Sequence, residues 1–240
     1  MVLSKELNKK YKETSYEKIL ISFLKKFKDF KIKYAFMGGI GFASYFHHFQ
    51  RRSSDIDILI AQKGYFFLKS FLLKNNFKES REKHIIKQFK SEKYYFGIDV
   101  IVDELLLALP PSWEIIDSFS LTKALKEREK YWVKSLDKKE NFFIYTVSKE
   151  WHFLFKLFPP LDAHHLHDIF YLLSTVKDQK IFLSNVERII SSENERYREY
   201  FKKKLKECQA AIKETIWFKS SKEKIQDLVL KLIKKIILVI

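Results

Sequence analysis

In SSDIDILI, residues 53–60, two aspartates stand at the head of an apolar, β-branched run. This composition predicts a strand over 55–61. Side chains of a strand alternate between its faces, so Asp55 and Asp57 share one face, about 6.6 Å apart. Two carboxylates this close repel each other unless a cation lies between them. Sites built from oxygen ligands suit Mg²⁺ or Mn²⁺.

A third acid has a similar setting. Asp99 lies within FGIDVIV, residues 96–102, another apolar run that predicts a strand. If this strand lies beside the first, the three acids converge into a two-metal site of the kind used for phosphoryl or nucleotidyl transfer. The alternative is that the Asp-x-Asp pair is simply a solvated strand start. The presence of Asp99 and of an upstream Gly38-Gly39 turn favours the metal site.

The rest of the sequence predicts a small α/β (α+β) domain with a mixed sheet, followed by a helical C-terminal half. The boundary is expected near residue 147, which gives domains 1–147 and 148–240. In the first domain the patterns predict helices over 15–29, 40–49 and 64–76, and strands over 33–39, 55–61, 84–90, 94–103 and 141–147. In the second they predict helices over 148–158, 162–176, 180–191, 194–216 and 221–238.

Composition limits the partners and the compartment. The chain of 240 residues carries a formal net charge of +16, which favours polyanions such as nucleotides and nucleic acid. The alternative is a chain that simply uses lysine on its surface. Cys208 is the only cysteine, which excludes a disulfide framework within one chain and fits the cytoplasm. No segment resembles a signal peptide, and the C-terminal apolar stretch is interrupted by lysines, which predicts a packed helix and no membrane span.

Two other nucleotide motifs fit less well. Gly39-x-Gly41-x-x-Ser44 approaches the dinucleotide-binding fingerprint, but serine replaces its third glycine. That fold also needs an acid at the end of the second strand, and here both acids stand at its beginning. The glycines are not followed by Lys-Ser or Lys-Thr, which excludes a P-loop.

The segment GGIGFASYFHHFQRRSSDIDILI, residues 38–60, resembles the signature of the DNA-polymerase-β-like nucleotidyltransferase superfamily. Its RRSSDIDILI portion is especially similar to the abortive-infection type nucleotidyltransferase toxins. The resemblance implies that Gly38 and Gly39 bind a triphosphate through backbone N–H groups, and that Arg52 or Ser54 steadies it.

For the three acids, the resemblance implies that Asp55 and Asp57 bind both metal ions. Asp99 would complete the second metal site and help to activate the attacking hydroxyl.

A second segment, VSKEWHFLFKLFPPLDAHHLHDIFYLLS at 147–174, is similar to the helices that follow in those toxins. For this chain, the resemblance implies that Lys156 reaches the nucleotide phosphates and that Asp168 orients the lysine. The chain departs from the pattern at His167, where a lysine or arginine is usual. His164 and His165 stand near the position of another expected arginine.

Together these features predict an enzyme, a nucleotidyltransferase that uses Mg²⁺ or Mn²⁺ to move a nucleoside monophosphate from an NTP such as ATP to an acceptor hydroxyl. The basic charge favours RNA as the acceptor, and the resemblance favours tRNA, a toxin-like role and an antitoxin partner. The alternative is a catalytically inactive module of the same fold that binds nucleic acid or a protein partner.

Overall fold

The computed structural model describes residues 16–45, 55–83, 86–94, 96–102, 104–109, 114–134, 141–191 and 195–240. Its strands are β1 (Tyr34–Phe36), β2 (Asp55–Ile60), β3 (Lys78–Lys83), β4 (Ile86–Lys90), β5 (Gly97–Val102), β6 (Glu104–Leu109), β7 (Glu114–Ser120), β8 (Glu129–Lys134) and β9 (Asn141–Thr146). Its α-helices are α1 (Tyr16–Lys25), α2 (Gly38–Ser44), α3 (Gln62–Lys74), α4 (Thr122–Lys126), α5 (Lys149–Leu157), α6 (Ala163–Ser174), α7 (Gln179–Ser191), α8 (Glu195–Lys213), α9 (Ile216–Ser220) and α10 (Glu223–Val239).

The fold class is confirmed: a mixed α/β sheet precedes a run of helices. The chain divides into two compact units, one formed by residues 1–105 and 120–146, the other by 106–119 and 147–240. The two-stranded sheet of β6 and β7 therefore belongs mostly to the second unit. The assignment of a catalytic domain to 1–147 and a helical domain to 148–240 stays a prediction.

The first unit is built on a seven-stranded sheet with the order β3-β4-β5-β2-β1-β9-β8. β2 pairs with β5 in parallel, and β1 pairs with β9 in parallel. The other described pairs in the sheet are antiparallel. The charged edge strands β3 and β8 and the short helix α4 were not predicted from the sequence, and neither was the two-stranded sheet of β6 and β7.

An aromatic-rich core lies against one face of this sheet. Helix α1 and the turn of 3₁₀-helix that follows it supply Leu20, Phe23, Leu24 and Phe27, at the spacing of one helical face. The Phe23 ring contacts Phe27, and the two rings meet edge to face at 5.4 Å between centroids. Ile56, Ile58 and other alternate residues of the strands belong to the same core. The opposite face of the sheet is therefore the one that carries the polar side chains of β2.

Helices α5 and α6 of the second unit begin at side-chain caps. The Ser148 hydroxyl accepts a hydrogen bond from the Trp151 N–H, and the Asp162 carboxylate accepts one from the His165 N–H. Such caps satisfy N–H groups that have no partner within the helix. The positions of the five predicted helices are close to those observed, with one correction. The helix predicted over 194–216 ends at Lys213, and Thr215 caps the separate helix α9.

The apolar C-terminal segment forms helix α10. Val229, Leu232, Ile233 and Ile236 repeat at helical spacing and are buried, so this face packs within the unit. Of the helices that the structure describes, none has both the length and the apolar character that a membrane span needs.

Candidate active site

The centre of the candidate site is the pairing of β2 with β5. The two strands run parallel, with Asp57 opposite Asp99 and Asp55 opposite Gly97. Paired residues on neighbouring strands point to the same face, about 4.8 Å apart at the backbone. The structure therefore brings Asp55, Asp57 and Asp99 to one face of the sheet, which a shared metal site would require.

Burial distinguishes the two faces of these strands. Ile56, Ile58 and Ile98 are completely buried, whereas the three aspartates that alternate with them are only half-buried. The isoleucines fix which way each strand faces, because a shift by one residue would bury the acids and expose the isoleucines. The apolar residues thus determine the direction in which the acids point.

Gln88 extends the polar row onto a third strand. It lies opposite Asp99 in the antiparallel pairing of β4 with β5, and its Nε2 donates a hydrogen bond to Asp99 Oδ2 at 3.4 Å. Sequence reasoning did not single out this residue. The only signal for it was its place as a polar residue in the strand predicted over 84–90, and that does not reveal its neighbour across the sheet.

Gly38 lies directly against the Asp57 side chain. A Cβ atom added to Gly38 would stand 1.7 Å from Asp57 Oδ2, well inside any possible contact. The glycine also has φ of +53°, a left-handed conformation that other residues adopt at a cost. Next to it, the Met37 N–H donates to the Asp57 carbonyl oxygen at 2.9 Å. The start of α2 is therefore held against β2, and the helix begins at Gly38 itself, where the sequence had predicted a turn.

Two predicted site residues, Arg52 and Ser54, lie outside the described residues. Gly39 is the second residue of α2, whose N-terminal N–H groups have no acceptor within the helix. Among the described residues, Met37 supplies no side-chain cap to this helix. The geometry is compatible with the phosphate contact predicted for Gly38 and Gly39, which stays a prediction.

The acids influence one another electrostatically. Burial raises the pKa of Asp99 above its ordinary value of 3.8, and the negative charge of Asp55 raises it further. The hydrogen bond from Gln88 acts in the opposite direction. A cation bound between the acids would reverse the repulsion and favour the ionised form.

The donor set fits a hard divalent cation, because all of its ligand atoms are carboxylate oxygens. In the part of the chain that the structure describes, no three acidic, histidine or cysteine side chains already stand in the arrangement of a metal site. Binding of Mg²⁺ or Mn²⁺ by Asp55, Asp57 and Asp99 stays a prediction.

The second unit contains the other predicted pair. Lys156 Nζ lies 2.7 Å from Asp168 Oδ2; the lysine side chain is 11% exposed and that of the aspartate is fully buried. The contact links α5 to α6. An ammonium group has three donors, so this ion pair leaves Lys156 with the capacity to bind further acceptors. The role of Lys156 toward phosphate stays a prediction.

Histidines surround this ion pair. His167 Nδ1 lies 3.4 Å from Asp168 Oδ1, and its ring contacts Trp217 edge to face. Burial lowers the pKa of His165, and the positive charge of Lys156 lowers it further. His165 Nδ1 is 2.9 Å from Asp162 Oδ1, but the geometry of this contact is not that of a hydrogen bond. Burial and the charge of Lys156 therefore disfavour the protonated form of His165.

Comparison with known proteins adds the class of the fold. No protein-family model matches the sequence, and no curated protein matches it. The structure is similar to that of the antibiotic-resistance factor ANT(2'')-Ia in solution, with a TM-score of 0.52, 12% identity, and coverage of 78% of this chain and 95% of that chain. ANT(2'')-Ia in complex with adenylyl-2''-tobramycin gives a TM-score of 0.51 at 11% identity, covering 77% of this chain and 98% of that one.

A weaker likeness, at a TM-score of 0.49 and 21% identity, is to the lincosamide antibiotic adenylyltransferase LnuA with lincomycin bound; it covers 67% of this chain and 98% of that one. The fold assignment rests on the two likenesses above 0.5. This chain has a nucleotidyltransferase fold. The closer resemblance to the abortive-infection type toxins stays a prediction.

The ion pair of the second unit gives a first prediction, about stability. Asp168→Asn leaves the Lys156 ammonium buried without its counter-charge, which should lower the free energy of unfolding by about 3–5 kcal/mol. Urea unfolding measures the change. Asp227→Asn is the control, because Asp227 forms an exposed pair with Lys231 at 3.9 Å and should cost no more than about 1 kcal/mol. Equal losses in the two variants would contradict the structural role of the buried pair.

A second prediction concerns Gly38. Gly38→Ala places a methyl group on the Asp57 carboxylate and forces alanine into a left-handed conformation, which alone costs about 1–2 kcal/mol. We expect a lower urea midpoint and weaker Mn²⁺ binding by calorimetry. Gly97→Ala is the matched control on the same face, because among the described residues its Cβ would meet only the Phe89 carbonyl oxygen, at 3.4 Å. A Gly38→Ala protein as stable as Gly97→Ala would be inconsistent with the observed contact.

The raised pKa of Asp99 gives a third prediction. Because the folded state favours the protonated carboxyl, the stability that Asp99 contributes is present below pH 3.8 and is lost as the pH rises through the raised folded pKa. Asp99→Asn, which is uncharged and can still accept from Gln88, should therefore raise the urea midpoint of the metal-free protein at neutral pH. The gain should vanish in acid. A variant less stable than the wild type at neutral pH would refute this reading.

Proposed function

We propose that the protein is a metal-dependent nucleotidyltransferase that transfers a nucleoside monophosphate from an NTP to an acceptor hydroxyl. The observation that carries the proposal is the register of β2 with β5, which puts Asp57 beside Asp99 and Asp55 on the same face. The nucleotidyltransferase fold supports the same reaction class. The intact set of three acids supports an active enzyme over an inactive binding module. A binding module does not need three carboxylates on one face, and they repel one another when no cation is bound.

In this proposal Asp55, Asp57 and Asp99 hold Mg²⁺ or Mn²⁺. When bound, such ions polarise the phosphoryl oxygens and neutralise charge as it develops. Asp99 accepts the proton of the acceptor hydroxyl, and a bound cation favours the ionised carboxylate that this role needs. The acceptor oxygen then forms a bond to the α-phosphorus, the bond from that phosphorus to the bridging oxygen breaks, and pyrophosphate leaves. Gln88 orients Asp99 through its hydrogen bond.

The chain's remaining predicted residues would position the triphosphate. Backbone N–H groups of Gly38 and Gly39 are proposed to contact its oxygens, with Arg52 or Ser54 steadying it. Lys156 would supply a positive charge for the phosphates, and Asp168 keeps its ammonium in one orientation. These roles rest on the resemblance of residues 38–60 and 147–174 to the toxin relatives.

We propose RNA, and tRNA in particular, as the acceptor, with ATP as the first nucleotide to test. The formal net charge of +16 supports a polyanionic acceptor. The same resemblance supports a toxin whose activity an antitoxin protein restrains. A small-molecule hydroxyl is the second candidate, because the similar structures include one with adenylyl-2''-tobramycin. The inactive module remains the alternative to both.

One assay separates these acceptors. Wild-type protein is incubated with Mg²⁺ and each NTP labelled at the α-phosphate, together with tRNA, total RNA, or tobramycin and lincomycin. We expect label to enter tRNA. The same NTPs labelled at the γ-phosphate should transfer nothing, because the γ-phosphate leaves with pyrophosphate.

Variants establish which residues catalyse the transfer. Asp55→Asn/Asp57→Asn should reduce the rate by about 10³-fold, since loss of bound metal removes several kcal/mol of transition-state stabilisation. Asp29→Asn, an exposed carboxylate of the same unit, is the control and should keep full activity. Label that enters the antibiotics alone would favour the small-molecule acceptor. Absence of transfer to every acceptor, together with RNA binding, would favour the inactive module.

A further inference from the structure

A cavity of about 530 Å³ opens in the first unit, away from the three acids. Asp55 begins strand β2 and Ala61, which follows the end of that strand, lines the cavity. Six residues of extended chain span about 20 Å, so the cavity lies at the opposite end of β2 from the candidate active site. The lining comes from three segments: Lys31, Ile32 and Lys33; Ala61, Lys63, Gly64 and Phe67; and Thr122, Leu125 and Lys126.

The charge of this cavity has one sign. Lys31, Lys33, Lys63 and Lys126 surround it and are all exposed, and no described residue that lines it carries a carboxylate. Within the described residues, none of the four forms an ion pair with an acid. This contrasts with lysines elsewhere in the unit, such as Lys69, which pairs with Glu79. Four unneutralised cations from three segments produce a local positive potential that attracts polyanions.

The interior of the cavity is apolar. Ile32 and Leu125 contribute to its lining, and Gly64 packs so closely that an added Cβ would come within 2.5 Å of Ile32. Phe67 stands at the wall with 60% of its surface exposed, although burial of a phenylalanine side chain is favourable. Proteins that bind single-stranded nucleic acid combine an exposed aromatic ring with nearby cations. A base stacks on the ring, and the phosphates contact the cations.

We propose that this cavity binds a single-stranded segment of the RNA acceptor, with one base against Phe67 and the flanking phosphates on the four lysines. The inference rests on the proposed function for the class of acceptor, and deepens it by placing an RNA contact about 20 Å from the acids. A single inorganic phosphate would need neither the aromatic wall nor cations from three segments. A duplex would keep its bases stacked and unavailable to Phe67.

The test measures binding without catalysis. Fluorescein-labelled oligouridylate is titrated with the full chain in the presence of chelator and without NTP, at a series of salt concentrations. Lys63→Gln/Lys126→Gln should make the negative slope of log affinity against log salt shallower by about 1.4, since each lost phosphate contact on a single strand contributes about 0.7. Phe67→Ala should weaken binding about tenfold and leave this slope unchanged. Phe67→Tyr should restore affinity.

Lys74→Gln/Lys90→Gln is the matched control, because both lysines are exposed in the same unit and neither lines the cavity. It should leave affinity and slope close to those of the wild type. The urea midpoint of each variant is measured as well, and should change little because all the substituted side chains are exposed.

The inference would be overturned by equal losses in the cavity and control variants, by no loss for Phe67→Ala, or by displacement of the oligonucleotide by inorganic phosphate at the same charge concentration. Preference for duplex RNA over the single strand would overturn it too. The transfer assay fails or succeeds separately. Transfer to a small molecule without RNA binding would support the proposed reaction and contradict this RNA site. Cavity-dependent RNA binding without transfer would support the RNA site and contradict the proposed reaction.

Discussion

The parallel pairing of β2 with β5 is the constraint on which the rest of the candidate site depends. On one face it packs isoleucines into an aromatic-rich core, and on the other it brings Asp57 beside Asp99. The two results cannot be separated, because strand side chains alternate and a one-residue slip would exchange them. The energy that holds the acids together therefore comes from apolar burial on the other face of the sheet, and it offsets the repulsion between their charges.

The sequence predicted well the elements whose apolar pattern is strong. The strand of Asp55 and the terminal helix α10 are examples, since burial on one face leaves a readable period. It did not predict β3 (KESREK) or β8 (EKYWVK), which form the two edges of the sheet. Edge strands with charged residues avoid pairing with other chains, and the same charges hide the period-two pattern.

The candidate site also contains residues that the sequence predicts and residues that it does not. Asp55 and Asp57 could be placed on one face from local geometry, because they belong to the same strand. The partners across the sheet could not be derived, because no local rule gives the register between strands that are distant in the chain. Asp99 was identified by its apolar surroundings and by resemblance. Gln88 has neither signal, and only the pairing of β4 with β5 reveals its contact with Asp99.

The contact between Gly38 and Asp57 has a consequence for related sequences. Because the carboxylate occupies the space where any side chain at position 38 would go, the two positions constrain each other. As long as the acid is kept, position 38 must stay glycine. In a lineage that no longer needs the carboxylate, a smaller residue at 57 would release position 38 to accept asparagine, which tolerates a positive φ. A change at position 57 and a change at position 38 would therefore be expected to occur together among related sequences.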